Sequence, residues 1–109
     1  MSDRPVRLRE RARWDIEDAI SYYRKEHAQQ SALDFIDALE RVYAMIGRHP
    51  GAGSTRYGHE LGLPGLRTAP VERFPYLVFY VEREDHLDVW RVLHTKRDIP
   101  ASFGVHTGS

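Results

Sequence analysis

The chain has 109 residues, no cysteine, and sixteen Lys/Arg against sixteen Asp/Glu, for a formal net charge of zero. That length supports one domain with a two-layer core, and the lack of cysteine excludes disulfides, thiolate chemistry and Cys-based zinc sites. The zero balance speaks against affinity built on many phosphate contacts, and no apolar run of about 18 residues or leader pattern appears, so a cytoplasmic protein without a membrane span is expected.

Val6, Arg7, Leu8 and Arg9 alternate apolar and basic, as a half-buried strand does, and Pro5 in front favours an edge position. From about Arg11 the period becomes helical, with Ala12, Ile16, Ala19, Ile20 and Tyr23 on one face. The start is poorly capped, since neither Arg9 nor Glu10 is an N-cap residue. Lys25 to Gln30 is polar and reads as a loop, and Ser31, with Asp34 three residues later, offers the next N-cap. Phe35, Ala38, Leu39, Val42 and Ile46 form a second helical stripe that stops at Gly47 to Pro50. The two helices make an antiparallel helical hairpin.

Residues 50–65 carry five of the eight glycines and read as a long loop lacking both glycine-rich phosphate motifs. Leu66 to Val71 is a short strand. Phe74 to Val81 is apolar at both alternate sets of positions, which places it inside a sheet with both faces covered. After the charged break Glu82 to Asp85, His86 to Thr95 is a second strand, closing a hairpin. Residues 101–109 read as a flexible tail. The order β-α-α-β-β-β predicts a single α+β domain over 1–109: a helical hairpin packed on a twisted, mainly antiparallel sheet of about four strands.

Charged groups at the end of a buried hairpin make Arg91, His94, Lys96 and Arg97 the expected working edge, with Arg67 as a neighbour. His94 with Arg97 and Asp98 reads either as a general-base cluster or as a strand-end ion pair. The six histidines show no metal-ligand spacing, so neither a metal nor another cofactor is expected. Trp14 and Trp90 are either core residues or exposed anchors for a partner, and Tyr22 reads as a boundary residue.

Several local motifs are similar to the RelE/ParE superfamily of bacterial toxin–antitoxin toxins, its ParE branch above all. They are Ala12-x-x-Asp15-Ile16, Tyr22-Tyr23, Phe35-x-x-x-Leu39, Pro50-Gly51, Leu66-Arg67, Phe74 through Tyr80, and Val92-Leu93-His94-x-x-Arg97-Asp98. The resemblance covers about residues 5–100. It implies a small cytoplasmic toxin neutralised by an antitoxin segment that wraps it, with Trp14, Tyr22 and Trp90 as antitoxin contacts. ParE-like members inhibit DNA gyrase through protein–protein contact, and on that reading the positional working edge, Arg91, His94, Lys96 and Arg97, makes the target contacts. RelE-like members cut messenger RNA in the ribosome, and on that alternative Arg67, His94 and Arg97 are the catalytic candidates. Tyr76 stands where the nuclease branch implies an arginine, and Phe103 follows Arg97 without a late tyrosine. The expectation is therefore a gyrase inhibitor, not an enzyme, touching nucleic acid only through the antitoxin complex.

Overall fold

The computed structural model describes residues 3–104. Strand β1 (Val6–Leu8) leads into helices α1 (Glu10–Glu26) and α2 (Gln29–Arg48). A 3-10 turn (Pro50–Ala52) and helix α3 (Arg56–Leu61) precede strands β2 (Leu66–Pro70), β3 (Tyr76–Glu82) and β4 (Leu87–His94), and helix α4 (Ile99–Ser102) follows. The sheet order is β1-β4-β3-β2, with β1 parallel to β4 and the other pairs antiparallel. This is the expected α+β arrangement, and β1 takes the expected edge.

The double apolar pattern of β3 has its partner layers. Val78 and Tyr80 face the helical hairpin and pack with Ala12, Phe35, Leu39, Val42 and Ile46. Phe79 and Val81 face the other way, into a smaller core closed by Leu61 of α3, Leu66, Leu93 and Ile99 of α4. Phe35 and Phe79 are fully buried, and emptying either site would cost about 3–5 kcal/mol.

The elements that supply the second layer were not foreseen. The glycine-rich segment expected to be a loop contains α3, whose residue Gly58 lies where a Cβ would come 2.6 Å from the Leu66 carbonyl. Gly62, at φ 65°, ends that helix in the left-handed region, the usual cap position, which glycine takes without the strain a Cβ brings. Tyr80 pins the loop ahead of α3, donating to the Pro50 carbonyl at 2.8 Å and accepting from Gly53 N–H at 3.1 Å. In the region expected to be a tail, Ala101 and Ser102 belong to α4, and Phe103 packs 5.1 Å from the Phe79 ring. Residues 105–109 of that region lie outside the described residues.

The interhelical loop is shorter than expected. The His27 and Ala28 N–H groups both donate to the Tyr23 carbonyl, Ala28 becomes the N-cap, and Ser31 sits inside α2. Packing of Phe35 on Tyr23, at 5.5 Å between ring centroids, outweighs the roughly 1 kcal/mol that a serine cap offers.

Two irregularities matter later. Between β3 and β4 the register shifts, with Tyr80 opposite Val89 but Phe79 opposite Arg91, so Trp90 is the extra residue of a bulge. In the β2–β3 connection, Phe74 N–H donates to the Val71 carbonyl at 3.1 Å, and Arg73 takes φ 71° at the third position. That is the geometry of a type II turn, which normally carries glycine there and costs a residue with a Cβ about 1–2 kcal/mol.

Candidate functional site

Four of the charged residues expected at the working edge separate into two kinds. Arg91 is 6% exposed, and its guanidinium makes two 2.8 Å bonds to the Asp15 carboxylate and a 2.7 Å bond to the Ser102 carbonyl. The same carboxylate accepts from Val92 N–H at 3.0 Å, so α1 covers the part of β4 that β1 leaves unpaired. An arginine among Val89, Val92 and Leu93 can be buried only when its charge is met, and Asp15 meets it. The expectation that Arg91 presents its charge to a target is therefore corrected: it is the seam between α1, β4 and α4.

His94, Lys96 and Arg97 do come together. Thr95 N–H donates to Pro75, Arg97 N–H returns to the His94 carbonyl at 3.0 Å, and Lys96 N–H donates to His94 Nδ1 at 3.1 Å. With Nδ1 accepting, the neutral ring carries its proton on Nε2. Lys96 and Arg97 are exposed, and neither has a carboxylate within salt-bridge distance among the described residues. Asp98 is no part of a general-base cluster: its carboxylate accepts from Ala101 N–H at 3.2 Å and caps α4.

The His94 turn continues into a run of aromatic rings. His94 meets Tyr76 edge-on at 5.2 Å, Tyr76 lies 6.2 Å from Tyr23, and Tyr23 lies 5.2 Å from Tyr22 and 5.5 Å from His27. Burial raises the Tyr76 hydroxyl above its ordinary value; Tyr22 and Asp18 add to the rise, while Arg97 opposes it. Burial, then Tyr76 and Tyr22, push the Tyr23 hydroxyl up to about 12. Tyr23 is buried and Tyr76 and His94 are half-buried, whereas Tyr22 is 50% exposed. The result is a packed aromatic run with an exposed tyrosine and two exposed cations at its rim.

Arg67 does not join this surface. It stands opposite Tyr80, whereas His94 stands opposite Tyr76, further along β3, and its guanidinium is held by the Gly51 and Gly53 carbonyls at 3.2 and 2.9 Å. A cleft of about 530 Å³ runs from Arg67 past Gly58, Gly62 and His59 and is separate from the aromatic run.

The three aromatic anchors also divide. Trp14, like Tyr22, is 50% exposed on α1. Trp90 is half-buried: its indole N–H donates to Asp88 at 3.0 Å, the Arg9 guanidinium lies 4.4 Å over the ring, and Phe103 is 6.4 Å away. Asp88 also receives Arg9 at 2.9 Å and Arg83 at 3.1 Å. Burial pulls the Asp88 carboxyl up, but the bonds from Arg9, Trp90 and Arg83 outweigh it and hold the group below its ordinary value. Sequence reasoning missed Asp15 and Asp88 as hubs. The available signal was arginine and aspartate inside an otherwise apolar strand.

Among the described residues no three His, Asp or Glu side chains group as metal ligands, and no helix is long and apolar enough to cross a membrane. Comparison with known proteins gives one consistent family. The family described as ParE toxin of type II toxin–antitoxin system, parDE, matches residues 6–99. Toxin ParE1 of Caulobacter vibrioides is 27% identical over 101 residues, covering 93% of this chain and 99% of that protein. A solved structure described as the chromosomal ParDE TA system from P. aeruginosa aligns with a TM-score of 0.69 at 17% identity, covering 84% of this chain and 95% of that one, and shares the fold. The chain belongs to the ParE toxin family.

Proposed function

We propose that the chain is held in check by a cognate antitoxin and acts by inhibiting DNA gyrase through direct protein–protein contact. The observation that carries this reading is the rim of Tyr22, Tyr76, His94, Lys96 and Arg97: aromatic rings beside cations that have no carboxylate partner among the described residues. Such a surface supplies the large apolar anchors and arginine that dominate protein interfaces. Cutting RNA needs groups that activate the 2′-hydroxyl, stabilise the phosphorane and protonate the leaving oxygen around one point. Arg67 is tied to loop carbonyls away from His94, which leaves His94 and Arg97 without that third partner.

The antitoxin contact follows from the other exposed apolar groups, Trp14 and Tyr22 on α1. A disordered acidic and amphipathic segment laid along α1 toward Arg97 would bury both anchors and meet the arginines, trading ordering entropy for a large surface.

Purified protein assayed against gyrase supercoiling, and separately against ribosome-bound messenger RNA, tests the target. Supercoiling should be lost while the message stays intact. Codon-specific cleavage with normal supercoiling would overturn this reading and establish the ribosome-dependent nuclease.

A further inference from the structure

We infer that the α2 face beside the β2–β3 turn joins two copies of this chain around a twofold axis, independently of the target. Arg73 holds φ 71° at a turn position where glycine would sit without strain. Arg73 itself is exposed at this turn and packs into no core, so its guanidinium is the part worth keeping. Arg73 lines one cleft with Asp34, Asp37, Arg41 and Phe74. None of the four charged groups makes an ion pair within 4.0 Å among the described residues, although all share the cleft. Asp34 is engaged by Gln30 at 2.9 Å, which leaves Asp37 as the free acid. Leu33, one helical turn before Asp37, is 45% exposed.

A patch carrying two acids, two arginines and an exposed leucine is neutral and complementary to itself. A single-sign partner would meet repulsion from half of it. A twofold axis instead sets Asp37 of each copy against Arg73 of the other, and brings the two leucines toward the same seam. A second copy is therefore the occupant that pairs both Asp37 and Arg73 through one contact made twice.

Sedimentation of the purified full-length chain, alone and up to about 100 μM, reads the dimer directly, since that range brackets micromolar affinity. The wild type should dimerise. Asp37→Arg and Arg73→Glu should each lower the association at least tenfold, because each brings like charges together at both contacts. An equimolar mixture of the two variants should dimerise again, since both contacts then join opposite charges. A repair of charges within one chain cannot produce that recovery. Arg73→Gly removes the guanidinium and relieves the backbone, so it should melt at a higher temperature and yet remain monomeric. A monomeric wild type, a mixture that fails to recover, or an Arg73→Gly protein that still dimerises overturns the inference.

Discussion

Asp15→Ala removes the acceptor of three hydrogen bonds in the seam between α1 and β4. The Arg91 guanidinium loses two 2.8 Å contacts and Val92 N–H loses its 3.0 Å partner. Both side chains of the pair are only 7% exposed, so water cannot replace what is lost. Breaking a buried pair from one side costs about 3–5 kcal/mol, chiefly because a charge stays behind unpaired. Taking about 4 kcal/mol, and roughly 4 °C per kcal/mol for a domain of this size, the melting temperature should fall by about 16 °C. Against a usual total of about 5–15 kcal/mol, the variant folds marginally. Thermal and urea unfolding followed by circular dichroism reads the loss. Arg91→Ala should also destabilise, and the double variant should lose less than the sum of the singles, because no charge remains uncompensated. A loss below about 1 kcal/mol for Asp15→Ala, or strictly additive singles, would refute the account of the seam.

Arg97→Ala should leave stability within about 0.5 kcal/mol, as exposed substitutions do, while abolishing growth inhibition; undiminished toxicity in a folded variant removes the His94 turn from the site. Tyr22→Ala should fold normally yet bind the antitoxin about 2 kcal/mol more weakly, roughly thirtyfold by calorimetry, as loss of an interface anchor does. Gly53→Ala would place a Cβ 2.4 Å from the Tyr80 hydroxyl and 2.9 Å from the Thr68 carbonyl, so the urea midpoint should drop by the equivalent of about 1–3 kcal/mol. Asp88 is held below its ordinary 3.8, so its contribution is present above that value and disappears as pH falls through the folded-state value. Asp88→Asn should therefore be less stable than the wild type at neutral pH, with the two urea midpoints converging in acid.

The two helices and β3 were legible because their information is local. A stripe at helical spacing, or an apolar run on both faces, states how much of an element must be covered. What covers it is a separate matter. The face of β3 holding Phe79 and Val81 announced a second layer, but the helices supplying it are six and four residues long. Their signals were present as Leu61 before Gly62, and as Asp98 before Pro100, and a short helix carries too few turns for a period to show.

The working edge was half legible for a related reason. Arg91 and Arg97 are both arginines at the end of one hairpin, and nothing within ten residues separates them. What separates them is Asp15, 76 positions away from Arg91, whose carboxylate turns one cation into structure. The other is left at the surface because Asp98, its nearest acid in sequence, is spent capping α4. Charge on an exposed turn that no local acid neutralises is charge available to a partner, and in this fold Lys96 and Arg97 satisfy that condition beside the Tyr76 and His94 rings. The same reasoning separates the tryptophans. Trp90 is occupied by Arg9, Asp88 and Phe103, whereas Trp14 on α1 keeps half its surface in solvent and so retains apolar area to give to an antitoxin.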